Sequence, residues 1–257
     1  MPDTYPLIVT HISNLVTAIT PVTTSQSTVY PTTNLNILPI TKPWRSSGSS
    51  WGSPQITVDF TTARAIDVIA LVNHNLSSAA TITIDAGTTA SYADFTTSMT
   101  WKSKTAHKWL SPVQTYRYWR ISITDTANTD GFLEVGYLVL SSATLPSFTF
   151  RHGWISTPEI ATSEVHTEFG SPFHEELYQR QRLNLQFGPL NDTNMDTLRN
   201  LYISLLRNAN PMLLLPERNG TDSYFGRIEN QFDEKINFRR AVSIDFVEDS
   251  VGQRLAT

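Results

Sequence analysis

The chain contains no cysteine among its 257 residues. That absence excludes disulfides, thiolate nucleophiles and cysteine-based zinc sites together. Charge is also scarce: only 16% of residues are charged, too few for a disordered chain. A net charge of -4 leaves no basic surface for a phosphate backbone, so nucleic acid is excluded as a partner. Long hydrophobic runs are missing as well. The longest, around 68–72 and 212–215, are far too short to cross a bilayer, and no membrane insertion is expected. The opening MPDTYPLIVTHIS has no basic start followed by an apolar segment, so no signal peptide is read and folding in a reducing cytoplasm is expected. What remains is 40% hydrophobic residues in a background of serine and threonine, a composition that suits strands with one wet face.

The pattern is mainly β. In RYWRISITDTANTDGFLEVGYLVL, at 117–140, Trp119, Ile121 and Ile123 alternate with Arg120, Ser122 and Thr124. A polar loop from Asp125 to Gly131 follows, and Leu133, Val135, Tyr137 and Val139 resume the alternation. A period of two places alternate side chains on one face, which predicts two half-buried antiparallel strands needing a second layer as cover. Ile56, Val58 and Phe60 predict another strand, residues 65–73 a nearly continuous buried one, and Ile82 with Ile84 a further one. Residues 1–34 read as an extended N-terminal segment that includes a short strand at 6–10, and 35–141 as a β-sandwich of jelly-roll type. SSATLPS at 141–147 reads as a hinge.

The remainder, 148–257, reads as a β-rich domain with one α-helix at about 193–208. Met195, Leu198, Leu201, Tyr202 and Leu205 fall at helical spacing, Thr193 and Asp196 imitate a capping box, and Asn210-Pro211 closes the far end. Strands are predicted over 183–187, 212–215, 224–229 and 240–247.

No complete catalytic set is present, and the chain is read as a non-enzyme with no cofactor and no metal. Gly48-Ser49-Ser50-Trp51-Gly52 matches the nucleophile elbow of serine hydrolases, but that chemistry needs a strand before the serine and a helix after it. Polar residues precede it, and Pro54 and a strand follow. His174-Glu175 begins an H-E-x-x-H pattern, yet Tyr178 stands where the second zinc ligand belongs. Glu164, His166, Glu168, His174, Glu175 and Glu176 could assemble a carboxylate–imidazole site but read better as a solvated charged loop or subunit contact, and Asp125 and Asp130 fit a calcium site and ordinary turn chemistry equally well.

The candidate ligand-binding or partner-binding residues are Trp44, Arg45 and Trp51 in one polar loop, and Asn73, His74 and Asn75 at a strand end. Two indoles and a guanidinium supply stacking faces and bidentate donors, which sugars and protein edges both require. In the competing reading, Trp44 and Trp51 simply plug the end of the sandwich.

Trp44-Arg45-Ser46, Ile56-Thr57-Val58-Asp59-Phe60, Val68-Ile69-Ala70-Leu71 and Tyr118-Trp119-Arg120-Ile121-Ser122-Ile123, with Leu133-Glu134-Val135-Gly136, resemble the galactose-binding-like (discoidin) jelly roll over roughly 35–140. That resemblance implies binding of glycans, lipids or proteins, without catalysis. Phe150-Arg151-His152-Gly153-Trp154, the 183–187 strand, the helix, Tyr224-Phe225-Gly226-Arg227-Ile228 and Ile244-Asp245-Phe246-Val247-Glu248 resemble the distal-tail or baseplate-hub proteins of tailed bacteriophages. This second resemblance implies a structural virion component in the tail. It would form a homo-oligomeric ring, hexamer or trimer, between tail tube and host-recognition proteins, with hub, fibre or tape-measure proteins as neighbours. The alternative is a carbohydrate-binding module with a host-surface glycan as its partner.

Overall fold

The computed structural model describes residues 6–10, 13–18, 21–47, 54–144, 150–166, 172–205, 209–217, 220, 222–229, 233–236 and 240–249. Along the chain run β1 (Leu7–Thr10), β2 (Val22–Thr23), β3 (Trp44–Arg45), β4 (Gln55–His74), β5 (Thr81–Gly87), β6 (Phe95–Met99), β7 (Thr105–Thr124) and β8 (Glu134–Ser141). There follow β9 (Phe150–His166), β10 (Pro172–Leu190), α1 (Asp192–Ser204), β11 (Met212–Leu215), β12 (Tyr224–Ile228), β13 (Asp233–Ile236) and β14 (Arg240–Glu248). Short 3-10 turns occupy Leu15–Ala18 and Thr32–Asn36. The fold is mainly β with two antiparallel sheets, as the alternation predicts.

The first sheet runs in the order β3-β8-β4-β7-β5-β6, with β2 also on β4. It folds over on itself because β4 and β7, twenty residues each, bend through one corner together. Their register shifts between Asp59 and Arg64 and again between Ile66 and Val68, and Thr61 takes a positive φ of 61° at the bend. Bulges of this kind let one strand serve two layers of a sandwich. The front layer holds β2, the 55–60 part of β4, the 118–124 part of β7, β5 and β6; the back layer holds β3, β8 and the remaining parts. Ile56, Val58, Ile84, Trp119 and Ile121 from the front meet Ile69, Leu71, Leu138 and Leu140 from the back in one buried core. The two strands expected within 117–140 exist, but they do not form an antiparallel pair: each pairs antiparallel with β4, which lies between them, so within the sheet they run parallel to each other.

The second sheet runs β1-β11-β12-β14-β10-β9, with β13 also on β14. One face carries α1 over a core of Ile8, Leu185, Phe187, Met195, Leu198, Leu214 and Phe246. Its other face packs on the back layer through Leu7, Val9, Leu213, Leu215 and Phe225 against Val68, Ala70, Val72, Tyr137 and Val139. This second burial explains why the 68–72 run is apolar at every position: both of its faces are covered. Lys104 pairs with Glu248 at 3.2 Å, and Ser223 donates its hydroxyl to Thr105 O at 2.9 Å, across the same junction.

Three local expectations change. The short strand expected at 6–10 is present as Leu7–Thr10, but it pairs in register with Met212–Leu215 in the second sheet instead of leading into the sandwich. The part of the expected hinge that the structure describes is tied down: Ile8 and Thr144 exchange backbone hydrogen bonds, and Ala143 N donates to Asp67. The helix covers Asp192–Ser204, and its cap is Asn191, whose side chain accepts from Asn194 N at 2.8 Å. Thr193 lies inside the first turn instead, and Asp196 is engaged with Arg199 at 2.6 Å.

Candidate functional site

The loops joining the layers at one end of the sandwich converge around Arg45. Cross-strand register sets Arg45 of β3 opposite Glu134 of β8, and its Nε donates to Glu134 Oε2 at 2.6 Å. Tyr30 comes from the preceding loop and Phe132 from the segment after Gly131, whose φ of 77° needs a glycine. Their rings lie on the guanidinium at 3.9 and 4.4 Å from their centroids. Tyr30 and Phe132 remain half-buried. A planar cation clamped by two rings and a carboxylate is a rigid unit, with aromatic surface at the rim.

Asn75 ties the neighbouring loop to this unit. Its side-chain amide donates to Asp130 Oδ2 and to Phe132 O, each at 2.9 Å, while its Oδ1 accepts from Glu134 N at 2.7 Å. Asn128 bridges underneath, donating to Asn75 O and accepting from Asp130 N. Asp130 is exposed, and the Asn75 amide links its carboxylate to the Phe132 backbone. Asp125 differs: it is buried, and its two oxygens accept from the Ser77 amide and hydroxyl, each at 2.6 Å.

The other sequence candidates sit elsewhere in the same end. Trp44 is fully buried, and its indole donates to Ser25 O at 3.2 Å, so its ring fills the core beneath the rim. Asn73, at a positive φ of 54°, turns away and donates to Ile40 O at 3.1 Å. His74 accepts from Leu76 N through Nδ1, and its buried Nε2 has no hydrogen-bond partner within geometric limits among the described residues. Burial pushes its pKa down to about 4, so it is neutral at pH 7. Trp51 and the Gly48–Gly52 motif lie outside the described residues. Arg45 and Asn75 are therefore brought together, with Tyr30, Asp130, Phe132 and Glu134 joining them. Sequence reasoning singled out Asp130 for other roles and missed Tyr30, Phe132 and Glu134, since only the pairing of β3 with β8 reveals that Glu134 faces Arg45.

In the described parts of the charged stretch, 164–166 and 172–176, the chain is strand and not loop; Glu168 lies outside the described residues. His174 pairs with Glu164 and Glu175 with Ser163 in the β9–β10 ladder. An H-E-x-x-H grip needs a helix to bring positions four apart to one face, and a strand does not provide that. Among the described residues no group of three or more metal-ligating side chains gathers. Among them, too, no helix is long and apolar enough to cross a membrane.

No family model and no curated protein sequence matches the chain. Solved structures do. A chitosan-binding module of a chitosanase/glucanase from Paenibacillus sp. IK-5 is 15% identical, with a TM-score of 0.41 over 50% of this chain and 98% of that one. The family 32 carbohydrate-binding module of Clostridium perfringens NanJ, in complex with galactose, is 15% identical, with a TM-score of 0.41 over 53% and 99%. The lectin domain of lectinolysin, complexed with Lewis B antigen, is 10% identical, with a TM-score of 0.43 over 51% and 97%. Likeness at this level carries no argument about ligand.

Proposed function

We propose that the sandwich is a non-catalytic glycan-binding module whose rim, built on Tyr30, Arg45, Asn75, Asp130 and Phe132, holds a sugar. The observation that carries the reading is the guanidinium clamped between two half-buried rings beside an exposed carboxylate. A pyranose offers an apolar C–H face to an aromatic ring and hydroxyls to a carboxylate and an arginine, and the rim presents all three. A glycan array on the wild type, Phe132→Ala and Asp130→Ala tests it. Either substitution is expected to weaken binding about tenfold, the scale of one stacking or charge-assisted contact. Failure of the folded wild type to bind any glycan removes the reading. Trp44→Ala is the wrong probe, because it opens a hole in the core.

A second reading, a ring-forming component of a phage tail or baseplate located in the virion, is favoured by the outer edge of the second sheet. β9 is seventeen residues long and is the terminal strand of its sheet. Ile155 and Ile160 on it are 62% and 53% exposed. A long edge strand with exposed apolar side chains is a template for another strand, and rotational closure would stop growth. Pro158 lacks an N–H and would divide such a contact in two. Native mass spectrometry is expected to show a closed oligomer that Ile155→Lys with Ile160→Lys disperses. A strictly monomeric wild type at every concentration tested would sink this reading.

A further inference from the structure

The outward face of the front layer carries a second group of side chains, remote from the rim in the strand register. Arg120 of β7 donates through Nε and Nη2 to Asp85 Oδ2 on β5, at 3.1 and 2.9 Å, and Thr96 donates to the other oxygen of Asp85 at 2.8 Å. Arg117 donates to both oxygens of Asp59 on β4, at 2.7 and 2.8 Å. Each guanidinium also lies on a tyrosine: Arg120 on Tyr92 at 4.7 Å and Arg117 on Tyr118 at 4.5 Å. The two rings meet edge to face at 6.4 Å, which joins both units into one surface. Both tyrosines are half-buried, so part of each ring faces solvent.

Ion pairs on a wet sheet face contribute little to stability, so pairing alone does not account for this construction. The loop that carries Tyr92 is more telling. Tyr92 is held at a positive φ of 56°, a conformation that bulky residues rarely adopt. Asp94 locks the loop by accepting from the Thr88 amide and hydroxyl at 2.7 and 2.8 Å, and Asp94 N donates back to Ala86 O. Gly87 permits the close approach: a Cβ there would stand 3.2 Å from Tyr92 Cα and 3.1 Å from Thr89 O. A turn that needs only to reverse the chain would place glycine or asparagine where Tyr92 stands. Strain of this kind is kept where a side chain must be displayed in one position.

We propose that Tyr92, Tyr118, Arg117, Arg120, Asp59 and Asp85 form a binding platform for a neutral oligosaccharide, distinct from the rim. Two guanidinium groups and two carboxylates cancel in charge, so the surface attracts neither a polyanion nor a polycation. Donors and acceptors alternate within hydrogen-bond reach, and the rings supply faces for sugar C–H groups. The register continues the platform with Thr57 opposite Arg120, and with Gln55 and Thr83 opposite Ser122, so its surroundings are hydroxyls and an amide.

The test titrates the full chain with neutral cello-, malto- and galacto-oligosaccharides. Binding is read by calorimetry and by NMR signals of the tyrosine rings. The expected result is a perturbation of Tyr92 and Tyr118, with Tyr92→Ala and Tyr118→Ala each weakening binding about tenfold; Phe132→Ala is measured alongside to report on the rim. Should Tyr118→Ala unfold the protein, Tyr92→Ala and Asp85→Asn decide the matter, since neither residue fills the core. Binding lost only in Phe132→Ala overturns the platform and leaves the rim reading standing. Binding lost only in the tyrosine variants upholds the platform and shows that the rim takes no part in holding these neutral sugars. No binding of any neutral oligosaccharide overturns the platform.

Discussion

His74 is a base that the fold keeps neutral. Burial lowers its pKa from 6.5 to about 4, against the raising effect of Asp125 and of its backbone contacts, and His107 is lowered to about 3 by burial and by Lys102. Between the folded and unfolded values the unfolded chain binds more protons, so stability falls with acidification through that interval. For His74 the loss begins near pH 6.5 and ends near pH 4. His74→Asn retains an acceptor for Leu76 N, and its stability in urea is expected to fall less than that of the wild type between pH 7 and pH 4. Identical slopes would show that His74 does not titrate with unfolding. The residue types needed for recognition were visible in the sequence, because arginine and asparagine in polar loops stand out from a serine and threonine background. Which face each takes was not, because one residue of register separates buried Trp44 from half-buried Arg45.

At the scale of elements, the helix separates two capping schemes. Asn191 accepts from Asn194 N, whereas Thr193 is within the first turn. Asn191→Ala is therefore expected to cost about 1 kcal/mol in thermal or chemical unfolding, while Thr193→Ala leaves the cap intact. The apolar spacing found the helix because Met195, Leu198 and Leu201 are its buried stripe. It did not find the start, because two capping residue types stand two positions apart and the stripe fits either. Strands were legible for the same reason: Trp119, Ile121 and Ile123 are buried, and the residues between them are not. The bend of β4 was not, because continuous backbone pairing through a corner leaves no mark in hydrophobic period. The close contact of β12 with β14 is similarly silent except for Gly226, where a Cβ would fall 2.0 Å from Val247 O.

Across the whole molecule, an apolar layer is buried between the sandwich and the second sheet, and it is expected to couple their unfolding. Tyr137 is fully buried there and meets Phe225 at a ring distance of 5.5 Å. Tyr137→Ala is expected to cost about 3–5 kcal/mol. It should also split a single denaturant transition into two, followed separately by far-ultraviolet dichroism and by tryptophan fluorescence. One unchanged transition would mean that the halves are held together by other contacts, such as Lys104 with Glu248. In the sequence, a change of character near residue 141 marks where the strands of the second sheet begin to dominate. The cross-connection was hidden, because nothing local in Leu7–Thr10 reveals a partner so distant along the chain.

That cross-connection has a price in time during synthesis. Leu7 finds Leu215 only after some two hundred further residues have been made, which at about 5–20 residues per second is on the order of ten to forty seconds. Throughout that interval LIVT is a sticky thread on a nascent polypeptide, open to chaperones and to wrong neighbours alike, and slowing the ribosome would lengthen its exposure.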